Sequence, residues 1–79
     1  MVKVFLDAGH GGHDSGVASN GLREKDLVLK IALKTRDILL NEYSNIEVKL
    51  SRDTDKFVLL NDRARMARDW GADAFVSIH

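Results

Sequence analysis

Two histidines and one glutamate occupy positions from which a folded chain could bind one metal ion. His10 comes just after a short apolar run, Glu24 follows a glycine-rich stretch, and His79 ends a second apolar run. Two imidazoles and one carboxylate with an open fourth position form a catalytic zinc set, in which the metal polarises a carbonyl and lowers the pKa of bound water to about 7. The residue types therefore predict a candidate zinc site.

Each of these residues also has an ordinary structural interpretation. His10 could be a polar residue of a glycine loop, and His79 could be a polar residue at a strand end. Glu24 could be a carboxylate that the helix dipole favours at a helix N-terminus. His13 is a competing ligand, because it lies in the same loop as His10, but their spacing fixes no geometry there. The residues alone leave these alternatives open.

The glycine-rich stretch could also bind phosphate. Gly9 and Gly11 match the first two glycines of the dinucleotide-binding fingerprint, but Asp14 stands at the third position. The next helix is predicted only near Lys25, so its N-terminus is not where the glycines are. Asp7 and Asp14 would repel phosphate. Nucleotide binding is therefore disfavoured; Asp7 is expected to tie down the loop backbone, and neither aspartate is assigned a catalytic role.

Three strands and two helices must position the candidate ligands. Strands are predicted over residues 2–7, 46–51 and 74–79, helices over about 25–43 and 58–70, and a loop over 10–21. The β-α-β-α-β order selects a parallel sheet with right-handed crossovers. Because parallel strands end at one edge, His10 and His79 are expected at the same rim, with Glu24 pointing toward it.

The apolar positions predict which helix faces are buried. In the first helix they are Leu27, Val28, Ile31, Ala32, Thr35, Ile38 and Leu39, with a second row of Leu29, Leu33 and Leu40 near the far side. In the second helix they are Leu59, Leu60, Ala64, Ala67 and Trp70. Gly71 is predicted to be the left-handed C-terminal cap. The second leucine row and the small sheet predict a missing neighbour, although single exposed leucines are common.

The composition restricts the class of protein. The chain has 79 residues, no Cys and a formal net charge of zero, which allows one small domain without disulfides or thiolate ligands. The absence of a basic cluster argues against nucleic-acid and anionic-membrane binding. The longest apolar runs fall far below the roughly 18 residues of a membrane span, and the N-terminal run enters a glycine loop, so neither a span nor a signal peptide is predicted.

Ordered motifs along the whole chain match a known family. They comprise Asp7-Ala8-Gly9-His10-Gly11-Gly12, Asp14, Gly16, Gly21, Glu24, Ser51-Arg52, Leu60, Arg63, Ala67 and the closing run 71–79. This pattern resembles the N-terminal half of the zinc-dependent N-acetylmuramoyl-L-alanine amidases, the cell-wall hydrolases of sporulation lysins, autolysins and phage endolysins. Two positions depart from the family pattern, since Ala8 replaces a common Pro and Arg68 a common Asn. Neither departure removes a ligand.

The resemblance implies one zinc ion held by His10, Glu24 and His79. It implies hydrolysis, by water activated at the metal, of the amide between N-acetylmuramic acid and L-alanine in peptidoglycan. Residues 1–79 are then the N-terminal part of a single α/β amidase catalytic domain, with a three-stranded, mainly parallel sheet flanked by helices. The C-terminal half, which is absent, would supply the general-base glutamate.

The resemblance also sets expectations for activity and partners. The chain alone is expected to be inactive, because general-base assistance contributes about 10²- to 10⁴-fold. The expected partners are peptidoglycan and either a complementary C-terminal half or further copies of the chain. The expected location is the cell wall, reached by secretion or after lysis. The alternative function is a zinc-binding half-domain or truncated module without turnover.

Overall fold

A computed structural model describes residues Met1–His79 and confirms the predicted α/β core. Its elements are β1 Val2–Ala8, β2 Ala18–Ser19, β3 Leu22–Arg23, α1 Glu24–Glu42, β4 Ile46–Leu50, α2 Leu60–Trp70 and β5 Ala74–Ile78. The three longer strands form one parallel sheet in the order β4-β1-β5. Neither helix combines the length and apolar character that a membrane crossing needs.

The pairing registers bring the carboxyl ends of the strands to one edge of the sheet. Leu6 pairs with Leu50 on one side, and Ala8 pairs with Ile78 on the other. The β1–β5 ladder continues beyond the strands, because the Gly9 N–H donates to the Ile78 carbonyl at 2.9 Å. The start of the glycine-rich loop and the residue after β5 are therefore held side by side.

The glycine-rich loop contains a short hairpin that the periodicity did not predict. β2 and β3 pair antiparallel across Asn20 and Gly21, whose φ angles are 53° and 78°. Two successive left-handed residues make the tight turn that an Asn-Gly pair favours. This dipeptide was the available sequence signal, whereas two-residue strands are too short to show alternation.

The buried core of the chain is small and partly polar. Only 13 of the 79 residues are buried. The apolar ones are Phe5, Leu6, Ala8, Val28, Ala32 and Ala67, the polar or charged ones are Asp7, Lys25, Ser51, Arg52 and Arg63, and the other two are Gly9 and Gly11. Every buried side-chain nitrogen and oxygen has a hydrogen-bond partner. Hydrogen bonds therefore share with apolar packing the task of holding the elements together.

α1 is rotated about its axis relative to the prediction. Val28 and Ala32 of the predicted stripe are buried, but Leu27, Ile31 and Ile38 of the same stripe are exposed. α1 packs mainly on β1 and β4 and little on β5. The prediction was wrong for these three residues because the side of α1 nearer β5 has no covering element.

The second leucine row of α1 also differs from the prediction. Leu29 and Leu33 are half-buried, and only Leu40 is exposed. The rotation that uncovers one side of the helix turns the first two of these leucines inward. The uncovered apolar surface therefore consists of other residues than the predicted row.

α2 has a charged residue at the centre of its buried face. Ala67 is buried and Trp70 is half-buried, as predicted. Three members of the predicted face are exposed, namely Leu59, Leu60 and Ala64. Arg63 is buried instead, because its guanidinium group reaches partners on the sheet. Gly71 caps the helix as predicted, with φ 81° and ψ 38°.

Candidate metal site

The three predicted ligands belong to different segments and meet at the carboxyl edge of the sheet. His10 lies just beyond β1, Glu24 is the first residue of α1, and His79 follows β5 directly. Their candidate ligand atoms all lie within 4.8 Å of one another. His10 Nε2 lies 3.0 Å from Glu24 Oε2. The structure thus brings together the complete predicted set.

His13 is not part of this cluster. Its side chain is exposed, and its ring packs against Phe57 with the ring centroids 4.4 Å apart. The loop histidine that reaches Glu24 is therefore His10. That His13 is no ligand, and that its loop lines the substrate groove, stay predictions.

The donor atoms of His10 and Glu24 suit a cation between them. His10 Nδ1 lies 3.1 Å from Asp14 Oδ2, and an ionised carboxylate can only accept a hydrogen bond from it. In the neutral ring this leaves a lone pair on Nε2, which faces the Glu24 carboxylate. Two lone pairs at that distance require a proton or a metal ion between them. Zinc bonds of about 2.0–2.1 Å place neighbouring ligand atoms about 3.3 Å apart. The 3.0 Å between His10 Nε2 and Glu24 Oε2 is close to that spacing, and the three candidate ligand atoms lie within 4.8 Å of one another.

Glu24 is held in place by the loop that docks on the N-terminus of α1. The Val17 N–H donates to Glu24 Oε1 at 3.0 Å, which leaves Oε2 directed at His10. The N–H groups of Glu24 and Lys25 donate to the carbonyls of Val17 and Ser15 at 2.8 and 3.0 Å. These carbonyls replace a side-chain cap. The hydrogen bond from Val17, and then His10, lowers the pKa of Glu24.

Negative charge is concentrated around the His10 imidazole. Burial lowers the pKa of His10, but the hydrogen bonds and charges of Asp14 and Glu24 outweigh burial, so the net shift is upward. The hydrogen bond with His10, and then the one from the Gly16 N–H, lowers the pKa of Asp14. Both carboxylates are therefore ionised near neutral pH, and the site favours a bound cation.

Two glycines provide the space that the ligand side chains occupy. A Cβ atom at Gly9 would lie 2.5 Å from Nδ1 of His79. A Cβ atom at Gly16 would lie 2.6 Å from Glu24 Oε1 and 2.8 Å from His10 Cδ2, and the φ of Gly16 is also positive, at 66°. Side chains at either position would therefore displace a candidate ligand.

Gly9→Ala is expected to weaken metal binding by on the order of tenfold, the lower end of what outer-shell changes cost. The φ of Gly9 is not positive, so the added methyl group disturbs the His79 ring without straining the backbone. Gly21→Ala tests backbone strain in the loop without a steric contact, since the φ of Gly21 is 78° and a Cβ there meets nothing within 4 Å. Competition with a chelator measures both affinities. Equal affinities of Gly9→Ala and the parent chain would contradict the expectation.

Arg52 joins the two segments that carry His10 and Glu24. Its Nη2 donates to the Gly9 carbonyl at 2.7 Å and to the Lys25 carbonyl at 2.9 Å. These two residues are the chain neighbours of the two ligands. The side chain is buried, its hydrogen bonds all go to carbonyl oxygens, and burial lowers its pKa. One guanidinium group therefore sets the separation of the ligand-bearing segments.

Asp7 is the second centre of the buried network. Its Oδ1 accepts hydrogen bonds from Ser51 and Arg63, and its Oδ2 accepts one from Ser77, all at 2.9 Å. Arg63 Nη2 also donates to the His10 carbonyl at 2.8 Å. The prediction that Asp7 itself ties down the loop backbone was wrong, because Arg63 makes that contact and Asp7 anchors Arg63.

The structural role of Arg52 and Arg63 was missed by sequence reasoning. Arginines in an amphipathic pattern are normally expected to face solvent. Their partners are carbonyl and carboxylate groups that lie far away in the sequence. The only sequence indication was that both residues belong to the motifs that resemble the amidase family.

Comparison with known proteins decides the family. The family profile described as N-acetylmuramoyl-L-alanine amidase matches residues 4–79. The chain belongs to this amidase family. The sporulation-specific N-acetylmuramoyl-L-alanine amidase of Bacillus subtilis is 57% identical over 79 residues, which cover 100% of the chain and 31% of that amidase. The endolysin of Bacillus phage SPP1 is 58% identical over 76 residues, covering 96% of the chain and 28% of the endolysin.

A solved amidase structure has the same fold over the length of the chain. The catalytic domain of CwlV, an N-acetylmuramoyl-L-alanine amidase from Bacillus (Paenibacillus) polymyxa var. colistinus, matches with a TM-score of 0.92 and 40% identity. The match covers 98% of the chain and 44% of that domain. The chain also spans about a third of the curated amidase relatives. The parallel sheet with flanking helices is therefore part of an amidase fold.

Proposed function

We propose that residues 1–79 are the N-terminal part of a single amidase catalytic domain in which His10, Glu24 and His79 bind one zinc ion. The convergence of the three ligand atoms within 4.8 Å carries this proposal. The proposed reaction is hydrolysis of the amide between N-acetylmuramic acid and L-alanine in bacterial peptidoglycan. Membership of the family supports the choice of bond.

The chain contributes the ligands and their orientation. When bound, zinc acts as a Lewis acid that polarises the substrate carbonyl and lowers the pKa of water to about 7. His10 and His79 each offer a nitrogen lone pair, and Glu24 offers Oε2 with a negative charge. Three protein ligands would match the number in catalytic zinc sites, in which water or substrate binds the metal as well.

The chain contains no free carboxylate near the site that could act as the general base. Asp14 accepts hydrogen bonds from His10 and the Gly16 N–H. Asp7 is buried and engaged by three donors. We infer that the proton-transfer group lies outside this chain. The same observation favours the alternative for the isolated chain, which is zinc binding without turnover.

Cell-wall digestion distinguishes these functions. Joined to the C-terminal part of a family catalytic domain, the chain is expected to release L-alanine amino termini from peptidoglycan. This release is expected to stop when a chelator is added and to resume when zinc is added back. The isolated chain is expected to be slower by at least about 10²- to 10⁴-fold, the usual share of general acid–base catalysis. Amine labelling measures the release. New reducing sugars would contradict the bond, and strong release by the chain alone would contradict the need for a second part.

The proposed place of action is the cell wall, and the proposed partner is peptidoglycan. The relatives include a sporulation-specific amidase and a phage endolysin. These names support both secretion and release by lysis as routes to the wall. Neutral net charge and the absence of a basic cluster continue to argue against nucleic acid as a partner.

The isolated chain is expected to self-associate or to be partly molten. Leu27, Ile31 and Ile38 form an exposed apolar stripe on α1, and Phe75 and Val76 are about half exposed on the edge strand β5, at 45% each. Uncovered apolar surface beside an open strand edge favours association. Sedimentation at low micromolar concentration is expected to show species larger than a monomer, or a loosely packed monomer.

Charge substitutions show whether this stripe is responsible. Ile31→Lys with Ile38→Lys is expected to shift the chain toward monomer. Leu60→Lys is the matched control, because Leu60 is exposed on α2, outside the stripe. A compact parent monomer that unfolds cooperatively would contradict the expectation, since the existing elements would then suffice for stability.

A further inference from the structure

We propose that Asp14 is a positioning residue that keeps the proton of the His10 imidazole on Nδ1 and so presents Nε2 to the metal. This inference rests on the proposed zinc site. Asp14 lies 3.1 Å from Nδ1 of His10, on the side of the ring opposite the Glu24 carboxylate. It is not one of the clustered ligands.

The Asp14 carboxylate is itself held rigidly. Its Oδ1 accepts a hydrogen bond from the Gly16 N–H at 3.1 Å. Its main chain exchanges two hydrogen bonds with Gly11, at 2.7 and 3.0 Å. The loop between His10 and Asp14 is therefore closed on itself, and Oδ2 is held 3.1 Å from His10 Nδ1.

The backbone of His10 is also held in place. Its φ is 62°, a left-handed conformation that is uncommon outside glycine. The Arg63 guanidinium group holds the His10 carbonyl at 2.8 Å. With the carbonyl held on one side and Nδ1 on the other, the ring has little freedom to turn Nε2 away from Glu24.

The chemistry of the ring makes this contact decisive for metal binding. An ionised carboxylate only accepts hydrogen bonds, so the nitrogen that faces Asp14 must carry the proton. The opposite tautomer would carry the proton on Nε2, where it would point at Glu24 and block the metal. Asp14 and Glu24 therefore compete for the ring proton. When the metal binds Nε2 and Glu24, the proton is on Nδ1, where Asp14 accepts its hydrogen bond. Outer-shell carboxylates on ligand histidines act in this way in metal sites.

Asp55 offers a matched control for the structural part of this role. Its carboxylate also anchors the glycine-rich loop, accepting from the Gly12 N–H and from Lys25 Nζ, both at 2.8 Å. Its side chain is 51% exposed, against 42% for Asp14. Asp55 contacts no candidate ligand side chain. Loss of loop anchoring is therefore common to both alanine variants, whereas loss of the Nδ1 acceptor is specific to Asp14→Ala.

Zinc affinity, measured by competition with a chelator in the complete catalytic domain, is the first readout. Asp14→Ala is expected to bind zinc about 10- to 100-fold more weakly. Asp14→Asn, whose amide oxygen can still accept from Nδ1, is expected to lose less, and Asp55→Ala is expected to bind like the parent. Equal losses in Asp14→Ala and Asp55→Ala would overturn the proposal. Failure of the parent domain itself to bind zinc would instead reject the proposed function.

Nitrogen NMR of the imidazole without metal gives a second readout that does not depend on zinc. Glu24→Ala removes the competing acceptor, so the neutral His10 ring is expected to carry its proton on Nδ1. In Glu24→Ala combined with Asp14→Ala the proton is expected on Nε2, the position preferred by free histidine. A proton on Nε2 in both variants would overturn the proposal even if the zinc site is correct.

Discussion

Glu24→Gln is expected to remove tight zinc binding and, in the complete catalytic domain, to abolish turnover through loss of the metal. Glu24 supplies the only negative charge in the ligand set, and its Oε2 lies 3.0 Å from His10 Nε2. The amide of Gln keeps the shape of the side chain and can still accept from the Val17 N–H. The expected loss of affinity exceeds the 10- to 100-fold typical of outer-shell changes. Metal analysis after dialysis measures it.

Histidine variants of the same loop test the choice of ligands. His10→Ala is expected to lose zinc as completely as Glu24→Gln, because His10 provides one of the two nitrogen donors. His13→Ala is the matched control, since His13 is exposed and packs on Phe57 outside the cluster. It is expected to retain one zinc per chain. Unchanged metal content in His10→Ala, or loss of zinc in His13→Ala, would show that the wrong histidine was chosen.

Arg63→Met is expected to destabilise the fold by about 3–5 kcal/mol, the usual effect of removing one partner of a buried ion pair. In the parent chain the Arg63 guanidinium group lies 2.9 Å from the Asp7 carboxylate. The variant removes this cation and leaves the carboxylate buried without it. It also leaves the His10 carbonyl without its donor. Urea unfolding of the complete catalytic domain measures the loss. A loss of this size is a large fraction of the stability of a folded protein.

Two further variants separate the buried pair from general effects on α2. Arg65→Met is the matched control, because Arg65 pairs with Asp62 on the exposed side of the same helix, and surface pairs contribute about 0–1 kcal/mol. Adding Asp7→Asn to Arg63→Met removes the stranded charge and is expected to recover part of the stability. A loss for Arg63→Met no larger than for Arg65→Met would contradict the importance of the buried pair.

The positions of the candidate ligands could be predicted without coordinates. Strand 74–79 and the strand that precedes His10 have apolar, β-branched compositions that fix their type locally. Once the alternation of strands and helices selects a parallel sheet, the carboxyl ends must share one edge. His10 and His79 are then brought together by topology alone. Gly71 was predictable for a similarly local reason, since the left-handed cap favours a residue without a side chain.

The helix faces could not be predicted from apolar periodicity, because periodicity does not show what covers a residue. Leu27, Ile31 and Ile38 are apolar and in phase with Val28, yet they are exposed. α1 rests on β1 and β4, and the region beside β5 is open. A sequence pattern indicates which residues would be stable in a protein interior. Which of them are buried depends on the elements that pack around the helix.

The sequence by itself determined the order of the long strands and helices and the shared edge of the sheet at which His10 and His79 lie, because these follow from local composition and parallel topology. Tertiary structure alone decided the support of the site. Arg52 reaches the carbonyls beside His10 and Glu24, and Arg63 reaches Asp7 across 56 positions of sequence. Local pattern favours solvent for both arginines. Burial became favourable only when folding placed enough carbonyl and carboxylate oxygens around each guanidinium group to replace its water.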